Sequence, residues 1–355
     1  MKILIIALSG AGDFLMSTPM IRELRLSFPK AKIDCLVMQG RISSGIASCD
    51  PDIDRVIYRD LRRYGVWNTL WRLADLRARR YDLSITTYPQ AVWGYWFVSY
   101  LVHAKRRVGF TYDASAFGRL ACRAFFTALI RERQSIHVVD NNMMAIKLLG
   151  LRRHLKNPKM VFEIPKGAAA FAARLFSDNG IRKAAIVHPG SGTTKNFVLK
   201  RWPAERFSSL CKGLYRLGYK VILVGGPEEE SLRASVIAGS GLARGKEIFD
   251  LSSSIEKVAA VIQRGDLVVS NDSVIGHLAA AVGTRVVSIF GPTSEANTSP
   301  YTDNKVVVCM RPKQVRPFRH GEHAIAAEAA QSMNLITVAD VLAAVRGDGK
   351  YRRGT

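Results

Sequence analysis

Short apolar runs alternate with segments of helical periodicity along the second half of this chain. The apolar runs cover residues 184–188, 220–226, 266–270 and 285–291. Runs of this length are typical of strands, and apolar residues that recur every three or four positions between them are typical of helices. The alternation therefore predicts βαβ units, and strands that are apolar throughout predict a parallel sheet.

The first half of the chain repeats this pattern less regularly, with apolar runs at 2–8, 32–38, 54–58 and 81–88. Two such halves predict an α/β protein of two Rossmann-like domains that face a central cleft. Two prolines precede an alanine-rich helix near the middle of the chain, so the predicted domains are 1–165 and 166–355. Because open parallel sheets bind ligands beyond the carboxyl ends of their strands, we expect the functional residues in the loops that follow strands.

Three helix ends in the second half carry residues typical of caps. Pro203 is suited to the first turn of a helix that ends before Gly218. Ser253, with Glu256 three residues later, predicts a capping box. Gly283 is predicted to close the helix that precedes the apolar run 285–291.

The charge of the chain limits the classes of partner. The 355 residues carry a formal net charge of +23, which favours association with nucleic acid, an anionic membrane surface or a phosphorylated substrate. A merely solvated basic surface is the alternative. The five cysteines form no C-x-x-C pair, which suits a reducing cytoplasm. The longest apolar block, 91–102, is shorter than the ~18 residues typical of a membrane-spanning helix.

An acid follows the first predicted strand, where nucleotide-binding proteins place a phosphate. In the stretch LSGAGDFLMSTP, Gly10 and Gly12 begin a dinucleotide fingerprint, but Leu15 occupies the third glycine position. The carboxylate of Asp13 would repel a pyrophosphate at this helix start, so a nicotinamide or flavin site is not expected here. Asp13 could instead accept a proton from a hydroxyl, or it could only cap the helix.

Three loops of the second half suit an anionic ligand. The loop 188–203 offers glycine amides, hydroxyls and the cations Lys195, Lys200 and Arg201, which could hold a diphosphate without a metal. A second loop places Asp272, as a possible cap, and Ser273 at a helix start, where amides favour an anion. The side chain of His277 could face that ligand or be an ordinary buried histidine. In the third loop, Glu228 could bind a ribose diol or only add charge to a helix start.

The stretch DPDID at 50–54 contains two D-x-D patterns, which hold a divalent cation in some sugar transferases. It lies between a predicted helix and the apolar run 54–58, away from the loops described above. We therefore do not favour a metal site there.

Several segments together resemble the bacterial heptosyltransferase family, glycosyltransferase family nine. The matching segments are 2–24, 81–86, 106–110, 188–207, 221–229 and 267–301. The resemblance implies GT-B architecture and inverting, metal-independent transfer from a nucleotide sugar, with no cofactor. It also implies ADP-L-glycero-D-manno-heptose as donor and the lipopolysaccharide inner core as acceptor.

Carried over position by position, the resemblance assigns roles to named residues. Asp13 matches the general base, Lys200 the lysine that contacts the donor phosphate, and Glu228 the acid on the nucleotide side. The remaining donor contacts that the resemblance implies are Asp272, Ser273 and His277. We also predict donor contacts at Gly12, Ser191, Gly192, Thr193 and Thr194. This chain departs from the family pattern at Val274, where the donor loop normally has glycine, and in a longer loop between Gly192 and Lys200.

The basic first half is the predicted acceptor side. From the charge of this half we predict acceptor contacts at Arg59, Arg62, Arg63, Arg106 and Arg107. An anionic, lipid-linked saccharide would also place the protein in peripheral contact with the cytoplasmic face of the inner membrane. Two alternatives remain at this point: a nucleotide-sugar-binding protein of the same fold without turnover, and a basic nucleic-acid-binding protein. We do not expect nucleic acid as a partner, because no reading helix or stacking motif is present.

Overall fold

The computed structural model describes residues 1–38, 40–61, 66–90, 93–112, 122–192, 194–312, 315–318 and 327–348. The chain divides into two compact units. Unit 1 is Met1–Glu163 and unit 2 is Ile164–Thr355. Each unit contains one parallel sheet flanked by helices.

Unit 1 contains a six-stranded sheet in the order β3-β2-β1-β4-β5-β6. Its strands are β1 Lys2–Ala7, β2 Lys32–Val37, β3 Arg55–Tyr58, β4 Leu83–Thr86, β5 Arg106–Thr111 and β6 Ala128–Arg131. The described helices are α1 Ala11–Leu15, α2 Thr18–Ser27, α3 Gly40–Ser48, α4 Val66–Ala78, α5 Trp93–Val102 and α6 Val138–Leu148. All neighbouring strands are parallel.

Unit 2 contains a second six-stranded sheet, in the order β12-β11-β10-β7-β8-β9. Its strands are β7 Ala184–His188, β8 Lys220–Val224, β9 Ile248–Leu251, β10 Leu267–Asn271, β11 Val286–Phe290 and β12 Lys305–Cys309. The described α-helices are α7 Lys166–Asp178, α8 Ala204–Arg216, α9 Glu230–Ser240, α10 Ile255–Arg264, α11 Val274–Val282, α12 Glu295–Thr298, α13 Ala327–Leu335 and α14 Val338–Arg346. Short 3₁₀ helices cover Thr194–Lys200 and Pro227–Glu229.

The two sheets have the same strand order. When β7 to β12 are renumbered 1 to 6 and the order is read from its other end, both sheets run 3-2-1-4-5-6. In both, the first strand lies beside the second on one side and the fourth on the other, so the winding direction reverses there. Ligands of doubly wound sheets bind at this reversal, beyond the carboxyl ends of the strands. The reversal therefore points to the loops after β1 and β4 in unit 1 and after β7 and β10 in unit 2.

The apolar runs are strands because both faces of each sheet are covered. Every residue of β7, β10 and β11 is buried. Helix α8 packs one apolar side onto the sheet of unit 2 through Phe207 and Leu214, beside the buried indole of Trp202. The predicted parallel sheets and the two Rossmann-like units are confirmed. None of the helices within the described residues has the length and apolar character to cross a membrane.

The predicted helix ends are partly confirmed. Gly283 closes α11 with a φ of 84°, a left-handed conformation that favours glycine. Pro203 lies one residue before α8 and not in its first turn. The predicted capping box at Ser253 is wrong, because α10 begins after Ser254 and the side chain of Ser254 makes no capping hydrogen bond.

Candidate active site

A buried ion pair joins the loops that follow β7 and β10. Lys200 Nζ donates to Asp272 Oδ2 at 2.7 Å, and the two side chains are only 12% and 8% exposed. Thr293 Oγ1 donates to the same oxygen at 2.7 Å. Burial raises the pKa of Asp272, but the charge and hydrogen bond of Lys200 outweigh burial and hold that pKa below its usual value. An ionised Asp272 therefore anchors the ammonium group of Lys200 beside the start of α11.

The residue that precedes α11 is not the one considered as its cap from the sequence. The residue before the helix is Ser273 and not Asp272, so the capping role considered for Asp272 is wrong. The Ser273 side chain makes no hydrogen bond to the helix amides. The first amides of a helix have no partners within it and attract an anion. The start of α11 and the ammonium group of Lys200 together suit a phosphate group.

A second polar network lies beside this ion pair. His188, the last residue of β7, has its Nδ1 3.0 Å from Ser273 Oγ and its Nε2 3.0 Å from Glu229 Oε2. The side chains of His188 and Glu229 are both 6% exposed. Arg201 Nη2 lies 3.6 Å from the other oxygen, Glu229 Oε1. Burial raises the pKa of Glu229, but the hydrogen bonds from His188 and from the Gly226 amide, together with the charge of Arg201, lower it overall, so this carboxylate is ionised.

Sequence reasoning assigned the acid of this loop to Glu228, the neighbour of Glu229. The structure exposes Glu228 and buries Glu229 on the same 3₁₀ turn after β8. Only the tertiary structure distinguishes these two neighbouring acids. A Cβ atom on Gly190 would overlap the Glu229 carboxylate, so the glycine of the H-P-G stretch makes room for a buried acid.

Ser191 and Arg201 make hydrogen bonds within the 188–203 loop itself. Ser191 Oγ donates to the carbonyl of Phe197 at 2.7 Å, and Arg201 Nη2 donates to the carbonyl of Ser191 at 3.0 Å. Gly192 is exposed, and Thr194 begins the 3₁₀ helix that ends at Lys200. Thr193 lies outside the described residues.

His277 is a buried residue of α11. Burial lowers its pKa to about 4, although the charge of Asp272 acts in the opposite direction. Its imidazole is therefore neutral at pH 7, and Nδ1 has no hydrogen-bond partner among the described residues. Val274 is half-buried at the first position of the same helix.

In unit 1, Asp13 occupies the third position of α1, directly after the central strand β1. Its Oδ2 accepts a hydrogen bond from the amide of Gly10 at 3.1 Å. The capping contact considered from the sequence is therefore present, and it orients the carboxylate at the carboxyl end of β1. Gly12 lies one residue before Asp13 and is half-buried.

A buried cluster of aromatic, amide and carboxyl side chains lies beyond the neighbouring strands of unit 1, and sequence reasoning missed it. Tyr88, after β4, donates its hydroxyl to Glu132 Oε2 at 3.1 Å. Asn142 bonds both the amide and the carbonyl of Tyr88, at 2.8 and 3.0 Å. The backbone amide of Gln90 donates to the hydroxyl of Tyr112 at 2.6 Å. Burial chiefly raises the pKa of Tyr88, with smaller contributions from the charges of Glu132 and Asp13, so Asp13 lies within electrostatic range of this cluster.

The predicted acceptor arginines lie at different edges of the unit 1 sheet. Arg59 follows β3 at the carboxyl edge, as Asp13 follows β1, and its Nη2 lies 3.2 Å from Asp75 Oδ2. Arg106 and Arg107 begin β5, at the opposite edge, and bond the carbonyls of Leu148 and Phe125. The structure therefore does not bring Arg106 and Arg107 to Asp13. Arg62 and Arg63 lie outside the described residues.

Two of the three carboxylates in the DPDID stretch pair with arginines of helix α2. Asp52 pairs with Arg22 at 2.9 Å and Asp54 with Arg25 at 2.7 Å. Asp50 is buried, and burial raises its pKa to about 7. These contacts give the stretch a structural role in joining α2 to the loop before β3.

Comparison with known proteins is consistent from sequence to fold. The family model for glycosyltransferase family 9 (heptosyltransferase) matches residues 69–326. The chain is 27% identical to lipopolysaccharide heptosyltransferase 3 of Escherichia coli, over 94% of this chain and 95% of that protein. A family 9 glycosyltransferase structure from Veillonella parvula is similar with a TM-score of 0.77 and 21% identity, over 98% of this chain and 96% of that one. The structure of E. coli heptosyltransferase WaaC with ADP is similar with a TM-score of 0.74 and 22% identity, over 98% and 100%. The predicted α/β fold of GT-B type is confirmed.

Proposed function

This chain belongs to glycosyltransferase family 9, the heptosyltransferases, and is a glycosyltransferase; from that premise we propose that it transfers heptose from ADP-heptose to the lipopolysaccharide inner core. The names of its relatives support both substrates. The E. coli relative is a lipopolysaccharide heptosyltransferase, and a similar fold was solved with ADP.

The buried Lys200–Asp272 pair at the start of α11 carries the donor half of this proposal. A buried ammonium group beside helix amides is a site for a diphosphate, because charge-assisted hydrogen bonds are strong where water is excluded. Ser273 lies at the same helix start, and the exposed Glu228 supports a contact to the ribose from the loop after β8. No metal is required in this arrangement.

In the proposed reaction, Asp13 is the general base. An acceptor hydroxyl oxygen forms a bond to the anomeric carbon while the bond from that carbon to the donor diphosphate breaks, and the hydroxyl proton passes to the Asp13 carboxylate. Lys200 and the start of α11 stabilise the charge that grows on the departing diphosphate. A single displacement inverts the anomeric configuration.

The acceptor half of the proposal rests on unit 1. Arg59 lies at the same sheet edge as Asp13, and Arg62 and Arg63 follow it closely in sequence. These arginines suit an anionic, lipid-linked saccharide and peripheral contact with the cytoplasmic face of the inner membrane. Because Arg106 and Arg107 lie at the opposite edge, we do not include them in the acceptor site.

The test combines purified protein, a panel of nucleotide sugars and heptose-deficient lipopolysaccharide, with products identified by mass spectrometry. We expect consumption of ADP-heptose, growth of the acceptor by one heptose, inverted configuration by NMR, and unchanged activity in EDTA. Transfer of a different sugar would contradict the proposed donor. Donor binding without transfer would favour a binding protein that has lost turnover, which Val274 at the start of α11 would help explain. Activity lost in EDTA and restored by magnesium would contradict metal independence.

A further inference from the structure

His188 connects a buried carboxylate to the hydroxyl at the start of α11. Its Nε2 faces Glu229 Oε2 at 3.0 Å, and its Nδ1 faces Ser273 Oγ at 3.0 Å. The two bonds bridge residues that are 41 and 85 positions from His188 in the chain. Both ring nitrogens are therefore committed to polar partners inside unit 2.

The protonation state of His188 decides what the Ser273 hydroxyl can do. The ionised Glu229 carboxylate can only accept, so Nε2 carries a hydrogen. If the ring is neutral, Nδ1 is an acceptor and the Ser273 hydroxyl must donate its hydrogen to it. The oxygen of Ser273 then presents lone pairs to any ligand. If the ring is protonated, Nδ1 donates to Ser273 Oγ, and the hydroxyl hydrogen is available to a ligand.

We propose that His188 is a positioning residue that takes up a proton when the donor diphosphate binds, which turns the Ser273 hydroxyl into a hydrogen-bond donor to a phosphate oxygen. This inference rests on the proposed donor site at the start of α11. A phosphate oxygen only accepts hydrogen bonds, so it is repelled by the lone pairs of the neutral arrangement and favoured by the protonated one. The proton comes from solvent and no covalent bond to the ligand changes.

The charges around His188 support this coupling. Glu229 directly stabilises an imidazolium, while Arg201, 3.6 Å from Glu229, competes for the same carboxylate and opposes it. Asp272 lies next to Ser273 in sequence, but its charge is matched by Lys200 at 2.7 Å. A bound diphosphate adds two negative charges at this helix start. The added charge favours the protonated ring, so donor binding and proton uptake reinforce each other.

The test is calorimetry of ADP-heptose binding without acceptor, at one pH, in buffers of different ionisation enthalpy. Both phosphates of this donor keep a single negative charge across the neutral range, so proton uptake reports on the protein. We expect net uptake of up to one proton per donor bound. Because the bound state holds more protons, the donor Kd should rise with pH, by at most about tenfold per pH unit.

Variants of His188 and Ser273 test whether the proton is taken up by this network. His188→Gln should abolish the uptake and flatten the pH dependence of Kd. Ser273→Ala should also reduce the uptake and weaken donor binding, whereas Ser273→Thr keeps a hydroxyl and should restore both. The matched control is His154→Gln in unit 1, because His154 also pairs with a buried glutamate, Glu23, at 3.1 Å. That variant should retain the wild-type proton uptake.

Two results would overturn the inference: donor binding to wild type without proton uptake, or unchanged uptake in His188→Gln. If His188→Gln does not fold, the Ser273→Ala and Ser273→Thr pair decides, since equal uptake in both excludes the coupling. Absence of binding by every nucleotide sugar would instead overturn the proposed function, and with it the premise of this inference. The two failures are therefore distinguishable.

Discussion

The carboxyl edges of the two sheets share a strand order but differ in chemistry. In unit 2, ionisable side chains bond to one another, as in the pairs Lys200–Asp272 and His188–Glu229. In unit 1, the cluster after β4 and β5 bonds mainly through aromatic hydroxyls and amides, represented by Tyr88 and Asn142. The strand order places loops at the same point of each sheet, and the side chains in those loops decide what each point can bind.

This difference suits the two halves of a glycosyl transfer. Buried cations and helix amides suit a diphosphate, and neutral hydroxyl and amide groups suit a saccharide. Asp13 is the acid that α1 adds to the unit 1 edge, where a base for an acceptor hydroxyl would be needed. Four predictions test the contrast between the two units and between the two edges of the unit 1 sheet, starting with the largest expected effect.

Replacing Asp13 with Asn tests whether the unit 1 edge supplies a base. Asn can still accept the Gly10 amide hydrogen bond and caps helices as well as Asp, but it cannot take a proton. We expect kcat to fall about 100-fold or more with little change in donor Kd, measured by steady-state kinetics and calorimetry. Asp82→Asn, at the amino edge of the same sheet, is the control and should leave kcat near wild type. Wild-type turnover in Asp13→Asn would leave Asp13 with only its capping role.

Replacing Lys200 with Met tests the charge pairing of the unit 2 edge. The variant leaves the Asp272 charge buried without its cation, which costs about 3–5 kcal/mol in the free energy of unfolding. The double variant with Asp272→Asn removes both charges and should regain most of that stability in urea unfolding. Donor Kd should rise about 10–100-fold in both variants, because a charged hydrogen bond to the diphosphate is lost. Wild-type donor affinity in the double variant would exclude Lys200 from the donor site.

One buried titratable residue in each unit should contribute to stability in acid, with opposite signs. His277 in unit 2 has its pKa lowered to about 4, so between pH 6.5 and 4 the unfolded chain holds a proton that the folded chain lacks. The free energy of unfolding therefore falls as pH falls in this window, by about 2 kcal/mol from pH 6.5 to 5. Asp50 in unit 1 has its pKa raised to about 7, so below pH 7 the folded chain holds the extra proton. Its contribution makes the free energy of unfolding rise by about 2 kcal/mol from pH 7 to 5.

Urea unfolding of the full chain at pH 7 and pH 5 measures these contributions as differences from wild type. His277→Gln should lose less stability than wild type on acidification. Asp50→Asn, which keeps an acceptor for the Asp52 amide, should lack the gain contributed by Asp50. Identical pH dependence in the wild type and both variants would show that neither group titrates in this way.

The smallest expected effect separates the two edges of the unit 1 sheet. Arg59→Gln removes a cation at the carboxyl edge, and Arg106→Gln removes one at the amino edge. One basic residue near an anionic surface contributes about 1 kcal/mol, so Arg59→Gln should raise the acceptor KM about fivefold at low salt. Arg106→Gln should leave it unchanged, and higher salt should reduce the difference. Equal effects of the two variants would contradict an acceptor site at the carboxyl edge.

The sequence alone determined the sheets and the sites that follow directly from strand ends. A strand that is apolar throughout is stable only where both faces of its sheet are covered, so the parallel sheets were predictable. The position at which such a run stops marks the carboxyl end of a strand. Asp13 and Asp272 could therefore be placed at the edge where ligands bind, without knowledge of any long-range contact.

Tertiary structure decided which of several similar residues turns inward and which partners it meets. Glu228 and Glu229 are chemically identical neighbours, and only the turn after β8 and the space beside Gly190 bury the second. Strand direction placed Arg106 at the amino edge, although its charge alone suited an acceptor. The His188 network joins three loops through residues as far as 85 positions apart. The local periodicity of the sequence indicates which face of a helix or strand is apolar. Hydrogen bonds between distant loops form only when the folded sheet has brought those loops together.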